Sequence, residues 1–123
     1  MYDKNTSPVG WYLCSYLLRF VELALAQKEA PDTRFLSWEN TVLIRADSID
    51  DAYDKTVAIA EEASSSLGGA EKLDVQWVFE GITEVLPIYE ELKDGAEIMW
   101  REIKPRKLKN LRMLVRQKGE FAQ

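Results

Sequence analysis

The spacing of apolar positions changes repeatedly along this chain, and each change predicts a new element. From Gly10, the run WYLCSYLLRFVEL puts aromatic and aliphatic residues on both alternating sets. That is the pattern of a strand covered on both faces, and it predicts β structure over 10–22 with a turn of helix over 23–29. A helix through LLRFVELALAQKEA is the rival reading, because Leu, Ala and Glu favour helices. After a loop at Pro31-Asp32-Thr33, WENTVLIRA (38–46) alternates cleanly. Trp38, Asn40, Val42, Ile44 and Ala46 share one face, and Glu39, Thr41, Leu43 and Arg45 share the other, as in a half-buried strand.

The period then lengthens to that of a helix over 48–65. Ser48 is a suitable N-cap, and Asp50 and Asp51 fall in the first turn, where the helix dipole favours negative charge. Ile49, Ala52, Tyr53, Thr56, Val57, Ile59, Ala60 and Ala63 occupy one arc, with Asp50, Asp51, Asp54, Glu61 and Glu62 opposite. Ser64-Ser65-Ser66 and Gly68-Gly69 are read as its end. A third strand follows in DVQWVFEG (74–81), with Val75, Trp77 and Phe79 on one face, a bulge or bend at Gly81, and extended chain up to Pro87. Asp94-Gly95 signals a turn, and AEIMWREI (96–103) is expected to be a fourth strand, hairpin-paired with the third. Pro105 then opens a helix that Gly119 ends. Its apolar arc is Leu108, Leu111, Leu114 and Val115, flanked by a basic stripe of Arg106, Lys109, Arg112 and Arg116.

These elements predict an α+β fold in the order β-β-α-β-β-α, a four-stranded mainly antiparallel sheet with one helix on a face and a basic C-terminal helix. The expected organisation is a loose arm at 1–9, a single domain at 10–104 and the basic amphipathic helix at 105–123. One helix covers one sheet face only. The other face, carrying Leu43, Val78 and part of the first strand's apolar set, needs a cover from the C-terminal helix or from a second subunit.

Several local motifs recur together. Trp11-Tyr12 opens the first strand, followed by Trp38-Glu39-Asn40, the run Val42-Leu43-Ile44-Arg45-Ala46-Asp47-Ser48 leading into a helix with Ala52-Tyr53, then Val75 to Ile82, and finally Asp94-Gly95-Ala96-Glu97. As a set these resemble an uncharacterised bacterial domain-of-unknown-function family, the one numbered 4288, over roughly residues 10–104. The resemblance implies a bacterial source and brings no activity, ligand or catalytic residue with it. The helix after Pro105 and the Ala-rich stretch around 24–36 lie outside the part that matches.

Composition narrows the chemistry. At 123 residues, with 46% hydrophobic and 30% charged residues, the chain is of globular type and long enough to bury a core. There is no histidine, which removes Ser-His-Asp and Cys-His catalysis and every His-liganded metal site. The single cysteine, Cys14, excludes a CxxC pair and thiolate zinc clusters, and in an apolar strand it reads as a buried, inert thiol. Neither GxxxxGK[ST] nor GxGxxG is present. The absence of a disulfide framework and of a charged-then-apolar leader points to a reducing cytoplasm. The apolar stretch 11–26 contains Arg19 and Glu22 and is shorter than the roughly 20 residues a membrane span needs, so no membrane association is expected.

What remains is carboxylate chemistry and contact surfaces. Glu39, Glu80, Glu84 and Glu97 lie on or beside strands, with Arg45 and Arg101 as cationic partners. Two such carboxylates at suitable separation would act as acid and base or hold a hard cation, but exposed strand positions are routinely charged. The helix acids lack the spacing of a calcium loop and read as a solvated face. Each predicted strand carries one tryptophan (Trp11, Trp38, Trp77, Trp100); core filling is the ordinary role, and a ligand-stacking platform the sharper one. A ligand site, if present, is expected to combine Trp38, Glu39, Arg45, Trp77, Glu97 and Arg101. No catalytic residue, metal site or cofactor is nominated.

Charge is unevenly distributed. Residues 101–123 hold eight Lys or Arg against two Glu, a balance of +6, which leaves −11 for the first hundred residues of a chain whose net charge is −5. The stripe Arg106, Lys109, Arg112 and Arg116 is therefore the expected interaction surface. It would face the chain's own acids, an acidic neighbouring subunit in a homodimer, or a nucleic acid. Against nucleic acid, the acidic body repels a polyanion and no aromatic interleaves the stripe. The favoured function is non-enzymatic, acting through protein–protein contacts that include self-association, for instance as a small acidic partner blocking a basic surface. A Glu/Arg-based ligand-binding domain or enzyme and a nucleic-acid binder are the alternatives.

Overall fold

The computed structural model describes residues 3–22, 30–67 and 75–122. Three strands, β1 (Trp11–Glu22), β2 (Ser37–Arg45) and β3 (Val75–Pro87), form an antiparallel sheet in the order β2-β1-β3. Helix α1 (Ile49–Leu67) packs on all three. β1 is central, paired along one edge with β2 and along the other with β3. Its apolar residues on both alternating sets predict cover on both faces; α1 covers one, and no described helix packs on the other. The predicted turn of helix over 23–29 and Gly68-Gly69 lie outside the described residues.

Cross-strand pairing fixes which residues share a face. Tyr12, Cys14, Tyr16 and Leu18 of β1 point toward α1 and are buried against Ala52 and Ala60. From β2, Val42 and Ile44 join them, and from β3 Trp77, Phe79, Ile82 and Val85. The β3 set is spaced by two and then by three residues because the strand is bulged twice, where Glu80 and Thr83 have no β1 partner. Gly81 lies between the bulges with φ 156°, a backbone conformation side chains rarely adopt, so the bend foreseen there is present. Buried hydroxyls on this side have partners. Tyr12 Oη accepts the Ser7 amide at 3.0 Å, and Tyr16 Oη lies 3.4 Å from Asn40 Nδ2.

Helix α1 begins as the sequence predicts. The Asp51 amide donates to Ser48 Oγ at 3.1 Å, and the Asp51 carboxylate accepts the Asp47 amide at 3.2 Å. Ala52, Thr56 and Ala60 are fully buried, while Tyr53 and Ile59 of the predicted arc are exposed on its flanks. The buried stripe is narrower than the arc because small residues let the helix approach the sheet closely. The serine run does not stop the helix, which continues to Leu67. Ser64 and Ser65 bond back to the carbonyls of Glu61 and Glu62, a geometry helices tolerate.

The predicted loose arm at 1–9 is tied down over its described part. Ser7 is buried; its Oγ donates to the Ile88 carbonyl and accepts from the Trp11 amide at 3.1 Å, joining the N-terminus to the exit of β3.

Two expectations are corrected. Residues 96–103 form no strand, so the sheet has three strands rather than four. The Asp94-Gly95 turn is made, with Gly95 at φ 85° and the Ala96 amide bonded to the Lys93 carbonyl. A hairpin across this turn would set 96–103 opposite 86–93, but β3 ends at Pro87, which supplies no N–H, so most of that partner segment is not strand. The chain then leaves the sheet, the Ile88 amide going to the Trp11 carbonyl. The predicted helix over 105–118 is likewise only a short α2 (Leu108–Arg112), followed by a 3-10 turn at Lys118–Phe121. Neither buries any residue, so the C-terminal helix does not cover the sheet.

Candidate interaction surface

The C-terminal arm is the first component. Every described residue from Arg101 to Ala122 is exposed. The arm therefore presents Ile103, Leu108, Leu111, Met113, Leu114, Val115 and Phe121 to solvent, with Met113 at 79% and Val115 at 76% exposure. Monomeric surfaces rarely leave such runs of apolar residues bare. The helix is short for local reasons. Its N-cap position is Lys107, which makes no capping hydrogen bond, and helices below about 12 residues are marginal without a packing surface. Of the nominated basic stripe, Lys109 and Arg112 lie on α2. Arg106 precedes it, and Arg116 follows it, bonding the Glu120 carbonyl at 2.9 Å and lying over the Phe121 ring.

The second component is the sheet face turned away from α1. Register stacks it in rows: Leu43, Leu13 and Leu86; then Thr41, Ser15 and Glu84; then Glu39, Leu17 and Gly81; then Ser37, Arg19 and Val78. No described helix packs on it. Leu43 is 47% exposed, whereas Leu13 and Ser15 on the central strand are buried between their neighbours. Polar contacts organise the rows. Ser15 Oγ and Thr41 Oγ1 are 2.8 Å apart, Thr83 donates to Glu39 at 2.6 Å, and Arg19 Nε meets Glu80 Oε2 at 2.6 Å. The face thus has an apolar row, a half-buried hydroxyl row and a set of carboxylates from Glu39, Glu80 and Glu84. Sequence alternation had singled out Leu43 and Val78. Glu80 shares the alternation of Val78, whereas Thr83 is not legible as part of this face, because the bulges shift the pleat along β3.

The residues nominated for a ligand site are spread over the molecule. Trp38 and Trp77 are brought together on the α1 side, their ring centroids 4.4 Å apart, with Phe20 edge-on to Trp77 at 5.2 Å. Glu39 follows Trp38 and so faces the opposite side, in the Leu17 row. Arg45 is at the far end of β2, its guanidinium 5.3 Å from the Trp11 ring. Glu97 lines a cavity of about 190 Å³ with Leu86, Pro87, Ile88, Tyr89, Ile98, Met99 and Trp100, and Arg101 begins the exposed arm. Trp100, nominally a strand tryptophan, is 71% exposed.

Cys14 is fully buried, and burial pushes its thiol up from the ordinary value, with a hydrogen bond from Thr56 acting in the opposite direction. The thiolate is thereby disfavoured. Among the described residues no group of three or more Cys, Asp or Glu is placed to hold a metal ion, and no helix is long and apolar enough to cross a membrane.

No curated protein and no solved structure matches the chain. A family model does match, over residues 11–100, which takes in the sheet, α1 and the segment after β3 but stops before the exposed arm. With most of its length matched, the chain belongs to the family described as domain of unknown function DUF4288.

Proposed function

We propose that this protein is a non-enzymatic binding domain that works through protein–protein contacts, with the C-terminal arm as its binding element. The observation that carries this reading is the arm itself: from Arg101 to Ala122 its apolar and basic residues are all exposed, beyond a body that already has its own core. Segments that carry apolar anchors but lack a surface to fold on typically order when they meet one. The scattered nominated Glu and Arg residues and the disfavoured Cys14 thiolate give no comparable support to an enzyme. The cavity beside Glu97, at about 190 Å³, is smaller than the roughly 300–1,000 Å³ of small-molecule sites. A reducing cytoplasm suits a chain with one buried free thiol.

The test compares the full chain with the full chain carrying Leu111→Asp and Leu114→Asp. Chemical cross-linking in cell extract should show association, with another copy or with another protein, for the first and its loss in the second. Equal behaviour of the two chains rejects the arm as binding element. Arm-dependent binding of duplex DNA that falls steeply with salt would transfer the basic residues to the nucleic-acid reading.

A further inference from the structure

Both halves of a contact are present in this one chain: an exposed arm, and a sheet face on which no described helix packs. The arm has Leu108, Leu111, Leu114 and Val115 exposed, with Arg106, Lys109, Arg112 and Arg116 beside them. The sheet face opposite α1 has an exposed Leu43 beside the buried Leu13, the half-buried Val78 and Leu86, the last also lining the cavity with Ile98, Met99 and Trp100, and Glu39, Glu80 and Glu84 among them. The arm's balance is +6, against −11 for the rest. From these complementary surfaces we infer that the open sheet face is the docking site for the C-terminal arm of a second copy, so that two chains exchange arms in a symmetric dimer. The inference rests on the reading of the arm as a binding element and adds the identity of what it binds.

Physical chemistry favours this occupant. An amphipathic segment with apolar residues at positions 108, 111, 114 and 115 presents one stripe when helical, and a sheet face with apolar residues along one row accepts such a stripe. Docking would supply the packing that α2 lacks, so the helix should lengthen beyond Leu108–Arg112 as it binds. Flanking Arg and Lys would meet Glu39 and Glu84 at the rim, where charge steers orientation more than it adds affinity. A two-fold axis makes both arms and both faces equivalent, leaving neither apolar surface bare.

The experiment is a complementation test on full chains. One variant carries Leu43→Asp and Glu84→Lys on the face; the other carries Leu111→Asp and Leu114→Asp on the arm. Leu43 and Glu84 are exposed, so the face variant should keep its fold, which far-ultraviolet circular dichroism and thermal melting confirm independently. By light scattering after size exclusion, the unaltered chain should have twice the monomer mass and each variant alone the monomer mass. Their mixture should recover a heterodimer, because one sound arm meets one sound face, with affinity at least tenfold below that of the unaltered dimer. An unaltered chain that stays monomeric at high concentration overturns the exchange, while the binding-element reading survives if arm-dependent cross-links to another protein persist. A face variant that remains dimeric overturns the site. A dimer untouched by the arm substitutions overturns both.

Discussion

Helix α1 and the C-terminal segment after Pro105 are both amphipathic, yet one is 19 residues of packed helix and the other contains five residues of exposed helix. They differ at their start and on their apolar side. α1 has Ser48 bonded to the Asp51 amide, and its stripe of Ala52, Thr56 and Ala60 lies against buried residues of the sheet. α2 starts from Lys107 without a side-chain cap, and its larger Leu residues stay exposed, Leu108 at 58% and Leu111 at 37%. Amphipathic spacing therefore states which side of a helix would be buried; only a matching surface turns that into helix, because nucleation is costly and most helix stability comes from tertiary packing.

The largest effect expected from this comparison is in the body. Leu18→Ala removes a fully buried side chain from the cluster with Tyr16, Ala60 and Trp77 and should cost about 2–5 kcal/mol in chemical denaturation. The matching change in the arm, Leu111→Ala, should alter the stability of the dilute chain by less than about 0.5 kcal/mol. Comparable losses at the two positions would mean that the arm packs into the body. A smaller effect separates the two helix starts. Ser48→Ala should cost about 1 kcal/mol, whereas installing a cap with Lys107→Ser should raise helical circular dichroism slightly and shift the unfolding midpoint by only a few tenths of a kcal/mol.

Cys14 gives the mildest probe of the packed side. Its thiol value is raised in the fold, so the unfolded chain ionises first, from near the ordinary value of 9.0. The contribution of this group to stability is thus complete below about pH 9 and declines as pH rises further. Melting temperatures between pH 8 and 10.5 should fall more steeply for the natural chain than for Cys14→Ala. A thiol reagent should label Cys14 only under unfolding conditions; rapid native labelling would mean that the α1-side core opens.

Much of the body was legible because its signals are local. The apolar content of 11–22 predicts a strand, which is present, and Ser48 with Asp50 and Asp51 predicts the start of α1. AEIMWREI has strand-like composition but forms no fourth strand, because the segment it would face across the Asp94-Gly95 turn, 86–93, lies almost wholly beyond the end of β3 at Pro87. Glycine at position 81 signals a bend, yet nothing local states that two residues, rather than one, leave the ladder. The proposed ligand residues were grouped by type along the sequence, but pleat alternation separates Trp38 from Glu39, and the length of β2 separates both from Arg45.

The sequence by itself determined the α+β class, the inert setting of Cys14 and the contrast between an acidic body and a basic C-terminus. Those follow from composition, local spacing and capping chemistry, which act over a few residues. Only the tertiary structure decided that β1 lies between β2 and β3, that β3 bulges twice against β1, and that the arm from Arg101 to Ala122 stays exposed. Each of these depends on whether two segments far apart in sequence present matching edges or faces, and local periodicity carries no information about the partner.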